Sequence, residues 1–341
     1  MNLYIKIKKK LKRKPKNWLV TGAAGFVGSN LVEELLNLDQ KVIGIDNFSN
    51  STYENIKKIE KSFSKKKLKK FKFLKLDLIN YKKCLKFTKN VDYVLHQAAL
   101  GSVSRSIKDP ISSNQSNVTA FLNLINASRL NKVKQFVYAS SSSVYGDSKI
   151  LPKNETEIGQ QLSPYALTKY INELYAKIFY KNYNFSSIGL RYFNVFGKNQ
   201  SSRSQYAAVI PIWLDAVKKH KKVNIFGDGK TSRDFCYIDN VVQANILAAT
   251  NESIVDASVF NISYGGQISL NYLFKSIVDE QNKLEKNYNL KPKYLNFRPG
   301  DIRHSKASIN KAKKILGYKP KYSFSDGLRL MIKNKNDKKF N

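Results

Sequence analysis

From Trp18 onward, short β-branched and aromatic runs alternate with helix-length segments, the pattern of a parallel sheet flanked by helices. "NWLVTG" reads as a first strand, "FVGSNLVEELLNL" as a helix and "KVIGID" as the second strand. In that helix Val27, Leu31, Leu35 and Leu38 recur every three or four residues, which puts them on one face. "FKFLKLD", "VDYVLHQAA", "KQFVYASS" and "SSIGLRYFNVFG" continue the strands, and residues around 111–130 and 164–183 read as long helices. After about Gly197 the rhythm loosens into runs such as "VNIFGDG" and "VFNISYG", broken by Gly and Pro. The pattern predicts an α/β protein in three parts. Residues 1–16 form a basic arm, loose or helical, outside the main core. Residues 17–197 form a Rossmann-type, doubly wound parallel sheet. Residues 198–341 form a smaller lobe over the strand ends, where open sheets bind ligands, with a strand or helix able to return to the first domain.

A composition of 42% hydrophobic and 12% aromatic residues is that of a globular chain. No apolar run approaches the roughly 18 residues of a membrane span. The opening "MNLYIKIKKKLKRKPK" lacks the apolar middle of an export signal, so a cytoplasmic location is expected. Cys84 and Cys236 lie far apart and His96, His220 and His304 are scattered, so neither a metal site nor a redox disulfide is expected. A formal charge of +35 raises the question of nucleic-acid binding. The lysines, however, are spread over "KKIEKSFSKKKLKKFKF", "VKKHKKV" and "MIKNKNDKKFN", as on a solvated surface that incidentally favours anionic ligands.

The candidate chemistry begins at "VTGAAGFVG", which sets Gly22, Gly25 and Gly28 at a strand-to-helix turn, with Phe26 and Val27 opening the helix. Asp46 follows at the end of the second strand. Glycines there let backbone approach a pyrophosphate, the helix N-terminus meets its charge, and the acid bonds ribose hydroxyls. The stretch after Asp46, beginning with Asn47, has no arginine for a 2′-phosphate, so NAD is favoured over NADP. Asp77, followed by Leu78, is placed either to reach the adenine edge or to cap a helix. Gln97, Ala98 and Ala99 supply small or polar positions along the cofactor's path. In "SPYALTKYINELYAKIF", Tyr165 and Lys169 are four apart and so share a helix face, where an ammonium beside a phenol lowers the phenol pKa toward that of a general base. "YASSSSVYGD" holds four serines in a row, Ser140 to Ser143, a composition that by itself is most simply a polar loop.

"TGAAGFVGSN", "HQAA", "SSSSVYGD", "SPYALTK", "LRYFNVFG", "SRDFCYIDN" and "RPGDIRHS" occur in one order across Asn17 to Lys333 and resemble the extended short-chain dehydrogenase/reductases, specifically the nucleotide-sugar 4-epimerases. "HQAALGSVSRSIKDP" and "AAVIPIW" further resemble the subgroup acting on UDP-N-acetylhexosamines, with Ser104 where that subgroup more often has proline. The resemblance implies bound NAD and reversible conversion of UDP-N-acetylglucosamine to UDP-N-acetylgalactosamine, feeding surface polysaccharide. Tyr165 would take the 4-hydroxyl proton as hydride leaves C4, Lys169 would hold the nicotinamide ribose, and Ser141 would hydrogen-bond the 4-oxygen. Hydride then returns to the opposite face of the 4-keto sugar. Ser142 and Ser143 stand where 4,6-dehydratases carry Asp and Glu, which argues against elimination; Ser140 is left as filler.

On the substrate side the resemblance assigns Arg233 and Arg298 to the diphosphate and Asp301 to the UDP ribose. It assigns Asn194, Ala208, Val209 and the backbone around Ile225 and Phe226 to the nucleotide, and places Tyr192 and Phe193 beside the nicotinamide. Gly101, Ser102, Ser142 and Ser305 would leave a sugar pocket wide enough for a 2-acetamido group. UDP-glucuronate or UDP-N-acetylhexosaminuronate is the alternative substrate; its C6 carboxylate would want a cation, and Arg105 is not obviously in reach. A dehydrogenase releasing NADH, or a nucleic-acid-binding protein on the same scaffold, are the readings from other classes. The resemblance also implies a homodimer through the helices near 111–130 and 164–183.

Overall fold

In the computed structural model, which describes residues 2–202, 208–284, 289–297 and 302–336, the first six hydrophobic runs become β1 (Asn17–Thr21), β2 (Lys41–Asp46), β3 (Phe71–Lys75), β4 (Tyr93–His96), β5 (Gln135–Ser141) and β6 (Ser187–Tyr192). The last run is split. Past Tyr192 the backbone turns through a positive φ at Asn194, and β7 (Val195–Phe196) leaves the sheet. The remaining strands are β8 (Asn224–Phe226), β9 (Ser232–Arg233), β10 (Cys236–Tyr237), β11 (Val259–Ile262), β12 (Ile268–Ser269) and β13 (Lys293–Leu295). One parallel sheet has the order β11-β6-β5-β4-β1-β2-β3, so its seventh strand comes from the C-terminal part and pairs with β6. The short strands make three two-stranded pairs, β7 with β10, β8 with β13 and β9 with β12.

A parallel sheet has to be covered on both faces, and alternation along each strand divides the core accordingly. Trp18, Val20, Leu95, Val137 and Leu190 pack with Leu31, Leu35 and Ile246 on one face; Leu19, Val94, Phe136 and Tyr138 pack with Phe121, Leu124 and Phe179 on the other. The first cluster runs on without a break into Trp213, Phe235 and Phe324 of the lobe. The lobe therefore shares the sheet's core. At the edge of the sheet, β3 exposes Lys72 and Lys75; charges there discourage edge-to-edge pairing, which accounts for some of the lysine excess.

The helix Pro164–Tyr183 starts where its sequence says it should: Ser163 Oγ accepts from the Ala166 N–H at 3.2 Å, Pro164 fills the first turn, and left-handed Asn184 ends it. The helix expected over 111–130 is interrupted. The α-helices Pro110–Asn114 and Ala120–Leu130 flank a π-helical turn, Gln115–Thr119. Such wide turns redirect a side chain; here Asn117 accepts from the Leu100 N–H at 2.8 Å and donates to Leu100 O at 3.2 Å and to Thr168 Oγ1 at 3.1 Å.

The basic N-terminal segment was expected outside the main core, and there the structure differs. It is a helix, Leu3–Arg13, whose Tyr4, Ile7 and Leu11 form an apolar stripe against the core. Gln40, fully buried, accepts from the Lys16 N–H at 2.9 Å and Trp18 Nε1 at 3.1 Å and donates to Leu11 O at 2.9 Å. Lys8 pairs with Glu34 at 2.7 Å. Among the described residues no helix is long and apolar enough to cross a membrane.

Because Leu11 is only 4% exposed, Leu11→Ala should cost about 2–4 kcal/mol in urea unfolding. The same change at exposed Lys9 should stay within about 0.5 kcal/mol. Equal stability of the two variants would mean that the helix is not docked.

Candidate active site

The strand ends of β1, β2, β4, β5 and β6 open into one cavity of about 1660 Å³. At its floor Gly22 has φ +66°, and a Cβ there would lie 2.8 Å from Ala98 N; a Cβ on Gly28 would run into the Gly22 carbonyl. Only glycine allows turn and helix to close this far. The helix Phe26–Asn37 begins at Gly25 with no side-chain cap, so its first N–H groups are available to an anion. Asp46 Oδ2 accepts from the Ala24 N–H at 3.0 Å, and its Oδ1 from the Phe48 N–H at 2.8 Å and Ser51 Oγ at 2.9 Å, which fixes the carboxylate. Asp77 accepts from Asn47 Nδ2 at 3.0 Å and from the Ile79 N–H at 2.9 Å. Asn80 caps the helix that follows, so the capping alternative for Asp77 falls away. These features fit a dinucleotide: a cradle that side chains would fill, an uncapped helix start for the pyrophosphate, and a fixed acid at the second strand end.

Beyond the cradle the structure brings the expected chemistry together. Tyr165 N–H donates to Ser106 Oγ at 2.9 Å, which seats the start of its helix. Lys169 is 3% exposed and donates to Ala139 O at 2.9 Å; burial pushes its ammonium down to about 8. Burial also pushes the Tyr165 phenol up from its ordinary value, and a hydrogen bond with Ser141 opposes the rise. The expectation that Lys169 lowers the Tyr165 pKa is therefore not met, because the ammonium is turned to the Ala139 carbonyl and dehydration dominates. Ser141 Oγ accepts from the Ser143 N–H at 3.1 Å and from Ser143 Oγ at 2.9 Å. With both acceptor positions taken, its own proton is directed outward.

All of the residues expected to touch the cofactor, from Gly22 to Tyr192, line this cavity, as do Gly101, Ser102, Ser141, Ser142, Asn194 and Ala208. Val209, Arg233 and Ser305 do not. Val209 opens the helix Val209–Lys218, while Arg233 Nη1 and the Ser305 N–H both donate to Ser232 O, at 3.0 and 3.1 Å, on the lobe side. Arg298 and Asp301 lie outside the described residues. Phe193, expected beside the nicotinamide, is fully buried and lines no part of the cavity, and neither Ile225 nor Phe226 lines it.

Sequence reasoning missed several residues that shape the site. Asn245, on the helix Ile238–Thr250, donates to Tyr192 Oη at 2.8 Å and accepts from Gln97 Nε2 at 3.1 Å. Asp234, fully buried and pushed up to about 6 by burial, accepts from the Gly265, Gly266 and Ala307 N–H groups at 3.0 to 3.3 Å and so ties three lobe segments together. Thr21 Oγ1 accepts from the Ala98 N–H at 3.3 Å and bonds His96 Nδ1 at 2.7 Å. None of these has a local signal: Asn245 and Asp234 act across more than a hundred and about thirty residues respectively.

Residues 18–263 match the NAD dependent epimerase/dehydratase family. A solved UDP-N-acetylglucosamine 4-epimerase from Methanobrevibacter ruminantium, in complex with UDP-N-acetylmuramic acid, superposes with a TM-score of 0.85 at 39% identity, covering 94% of this chain and 98% of that one. The UDP-glucuronate 4-epimerase of Thermodesulfobacterium geofontis is 32% identical over 92% of this chain and 94% of its own length. A UDP-glucose 4-epimerase of Thermus thermophilus, solved in complex with NAD, has a TM-score of 0.80 at 28% identity, covering 94% of this chain and 99% of that one.

His96 carries a pH prediction. Burial, and secondarily the charge of Lys169, push its pKa from 6.5 down to about 3. The folded protein thus holds it neutral while the unfolded chain protonates it below about 6.5, so its contribution is present above that pH and is lost as pH falls. Asp234 has the opposite sign over its own range; comparison with a variant isolates the histidine. Wild type should lose ground to His96→Asn between pH 6.5 and 4.5 by up to about 1.4 kcal/mol per unit in urea unfolding. A pH-independent difference would contradict the buried neutral imidazole.

Proposed function

The chain belongs to the NAD dependent epimerase/dehydratase family, and we propose that within it this protein interconverts UDP-N-acetylglucosamine and UDP-N-acetylgalactosamine at C4. The observation that carries the reading is the convergence of Tyr165, Ser141 and Lys169 on one cavity with the glycine cradle, with hydroxyls and no carboxylate at the two positions after Ser141. Ser143 spends its hydroxyl on Ser141, so the loop turns the hydroxyl-bearing residues Ser141 and Ser142 to the cavity and provides no acid for elimination.

NAD, when bound, accepts an electron pair from the sugar and returns it. The cradle and the first turn of Phe26–Asn37 hold its pyrophosphate and Asp46 its ribose. Tyr165 takes the proton from the 4-hydroxyl and gives it back, while Ser141 donates to the same oxygen. Since burial disfavours the phenolate, proton removal needs positive charge nearby, and Lys169, one turn along the same helix face, would supply it by turning from the Ala139 carbonyl toward the phenol. Arg233, Arg298 and Asp301 would hold UDP on a lobe supplied mainly by residues 198–341, of which β11 and the helix Ile238–Thr250 return to the NAD-binding sheet of 17–197.

Preference for neutral N-acetylated sugars is supported by Gly101, where a Cβ would meet nothing within 4 Å, and by the 39% identical solved epimerase. The cation that a C6 carboxylate would want, Arg105, does line the cavity, but its Nη2 donates to Asn50 at 2.9 Å, in the loop after β2. That contact is to a neutral amide, so the reading for the neutral sugar rests on Gly101 and the solved epimerase. The product would supply cytoplasmic synthesis of surface polysaccharide, with no nucleic-acid partner. A homodimer is supported by Leu167, Leu174 and Ile178, a stripe on the helix Pro164–Tyr183 that is at least 40% exposed.

Incubation with UDP-N-acetylgalactosamine and NAD should yield both epimers on chromatographic separation; no interconversion, or turnover confined to UDP-glucuronate, would overturn the substrate. Tyr165→Phe should lose about 10²- to 10⁴-fold in kcat while UDP affinity stays within about twofold. Leu174→Glu should sediment as a monomer where the wild type is a dimer; identical sedimentation would remove this helix from the interface.

A further inference from the structure

Ser140, filler in the sequence reading, is 3% exposed, and its hydroxyl donates to Glu173 Oε1 at 2.5 Å. Glu173 is in turn gripped by Arg191, whose Nε donates to Oε1 at 2.9 Å and Nη2 to Oε2 at 2.7 Å. Both charged groups are at most 2% exposed. A carboxylate this dry is tolerable only when paired, and the two-point contact fixes its orientation. Arg191 and Ser140 are register partners on β6 and β5. The remaining end of the guanidinium, Nη1, donates to Tyr145 Oη at 3.0 Å, and Tyr145 Oη donates to Asn261 Oδ1 at 2.6 Å on β11.

The consequence lies in the spacing. Tyr165, Lys169 and Glu173 are four apart and share one face of the helix. Each meets one of three consecutive residues of β5: Tyr165 meets Ser141, Lys169 meets Ala139 O, and Glu173 meets Ser140. We propose that the Glu173–Arg191 pair, acting through Ser140, is a positioning device that sets the rotation and depth of the helix on β5 and thereby holds Ser141 in reach of Tyr165. The inference rests on the proposed roles of Ser141 and Tyr165; Ser140 and Glu173 are positioning residues, not catalytic ones. Since Ser140 also lines the cavity, direct contact with a ligand is the competing account.

The test uses the full-length, NAD-loaded protein and a double-mutant cycle of Ser140→Ala, Ser141→Ala and both together, with kcat, KM and bound NAD measured for each. Ser140→Ala should lower kcat by about tenfold or more, as displacement of a reacting group does, with KM and NAD content within about twofold. In the Ser141→Ala background it should have no further effect, because the group it positions is gone. Glu173→Gln, which keeps an acceptor for Ser140 but removes the negative charge that pairs with Arg191, should show the same kcat-only loss provided it folds. Wild-type kcat in Ser140→Ala, an equal loss in both backgrounds, or a change mainly in KM or NAD content would each overturn the proposal. Wild-type turnover in Ser141→Ala would overturn the assigned role of Ser141, and absence of turnover in the wild type the epimerase reading itself.

Discussion

The seam between β5 and the helix Pro164–Tyr183 is the contact on which the rest of the site depends. A parallel sheet buries its central strands on both faces, so β5 has no freedom to shift without moving β4 and β6. The helix laid against it meets successive residues 139–141 through side chains repeating every four positions. Everything that has to approach a common point, the cradle after β1, the acid after β2, the small residues after β4 and the serines after β5, is carried to the same edge of the sheet because all of these strands run the same way.

The same dehydration that makes this seam rigid sets its electrostatics. Lys169 is pushed down, Tyr165 up, and His96 is held neutral, and in each case burial is the first cause. The protein resolves the cost differently at each group. Glu173 is given a guanidinium that bonds both of its oxygens. His96 is given only the Thr21 hydroxyl on one nitrogen and stays neutral. Tyr165 is given a single hydrogen bond from Ser141 and is left reluctant to ionise. Such a phenol serves as a base only with positive charge beside it, which suits a reaction that takes a proton from the 4-oxygen as hydride leaves C4.

The sheet and the cradle were legible because their signals are local: β-branched runs, three glycines at one turn, an acid at the next strand end, and a Tyr and Lys one turn apart. What escaped the sequence depends on partners remote in the chain. The basic N-terminal run hid Tyr4, Ile7 and Leu11, whose burial requires Gln40 and the helix Phe26–Asn37 to be in place. Asn245 and Asp234 read as ordinary polar residues until the fold delivers Gln97 and Ala307 to them. The Tyr165 pKa was misjudged because a spacing of four says which residues share a face and nothing about which carbonyl an ammonium will choose.

The four serines show how one repeated residue type is divided into different tasks by backbone alone. Within β5, Ser140 is in register with Arg191 and is drawn into the ion pair. One residue on, at the strand end, Ser141 becomes the cap of the short helical turn Ser142–Tyr145, and Ser143 folds back onto it. An Asp or Glu at the Ser143 position could not make that bond as a donor, since an ionised carboxylate only accepts. Hydroxyls at these positions therefore do more than omit the acids of an elimination site: they leave Ser141 with one proton to give and one direction in which to give it.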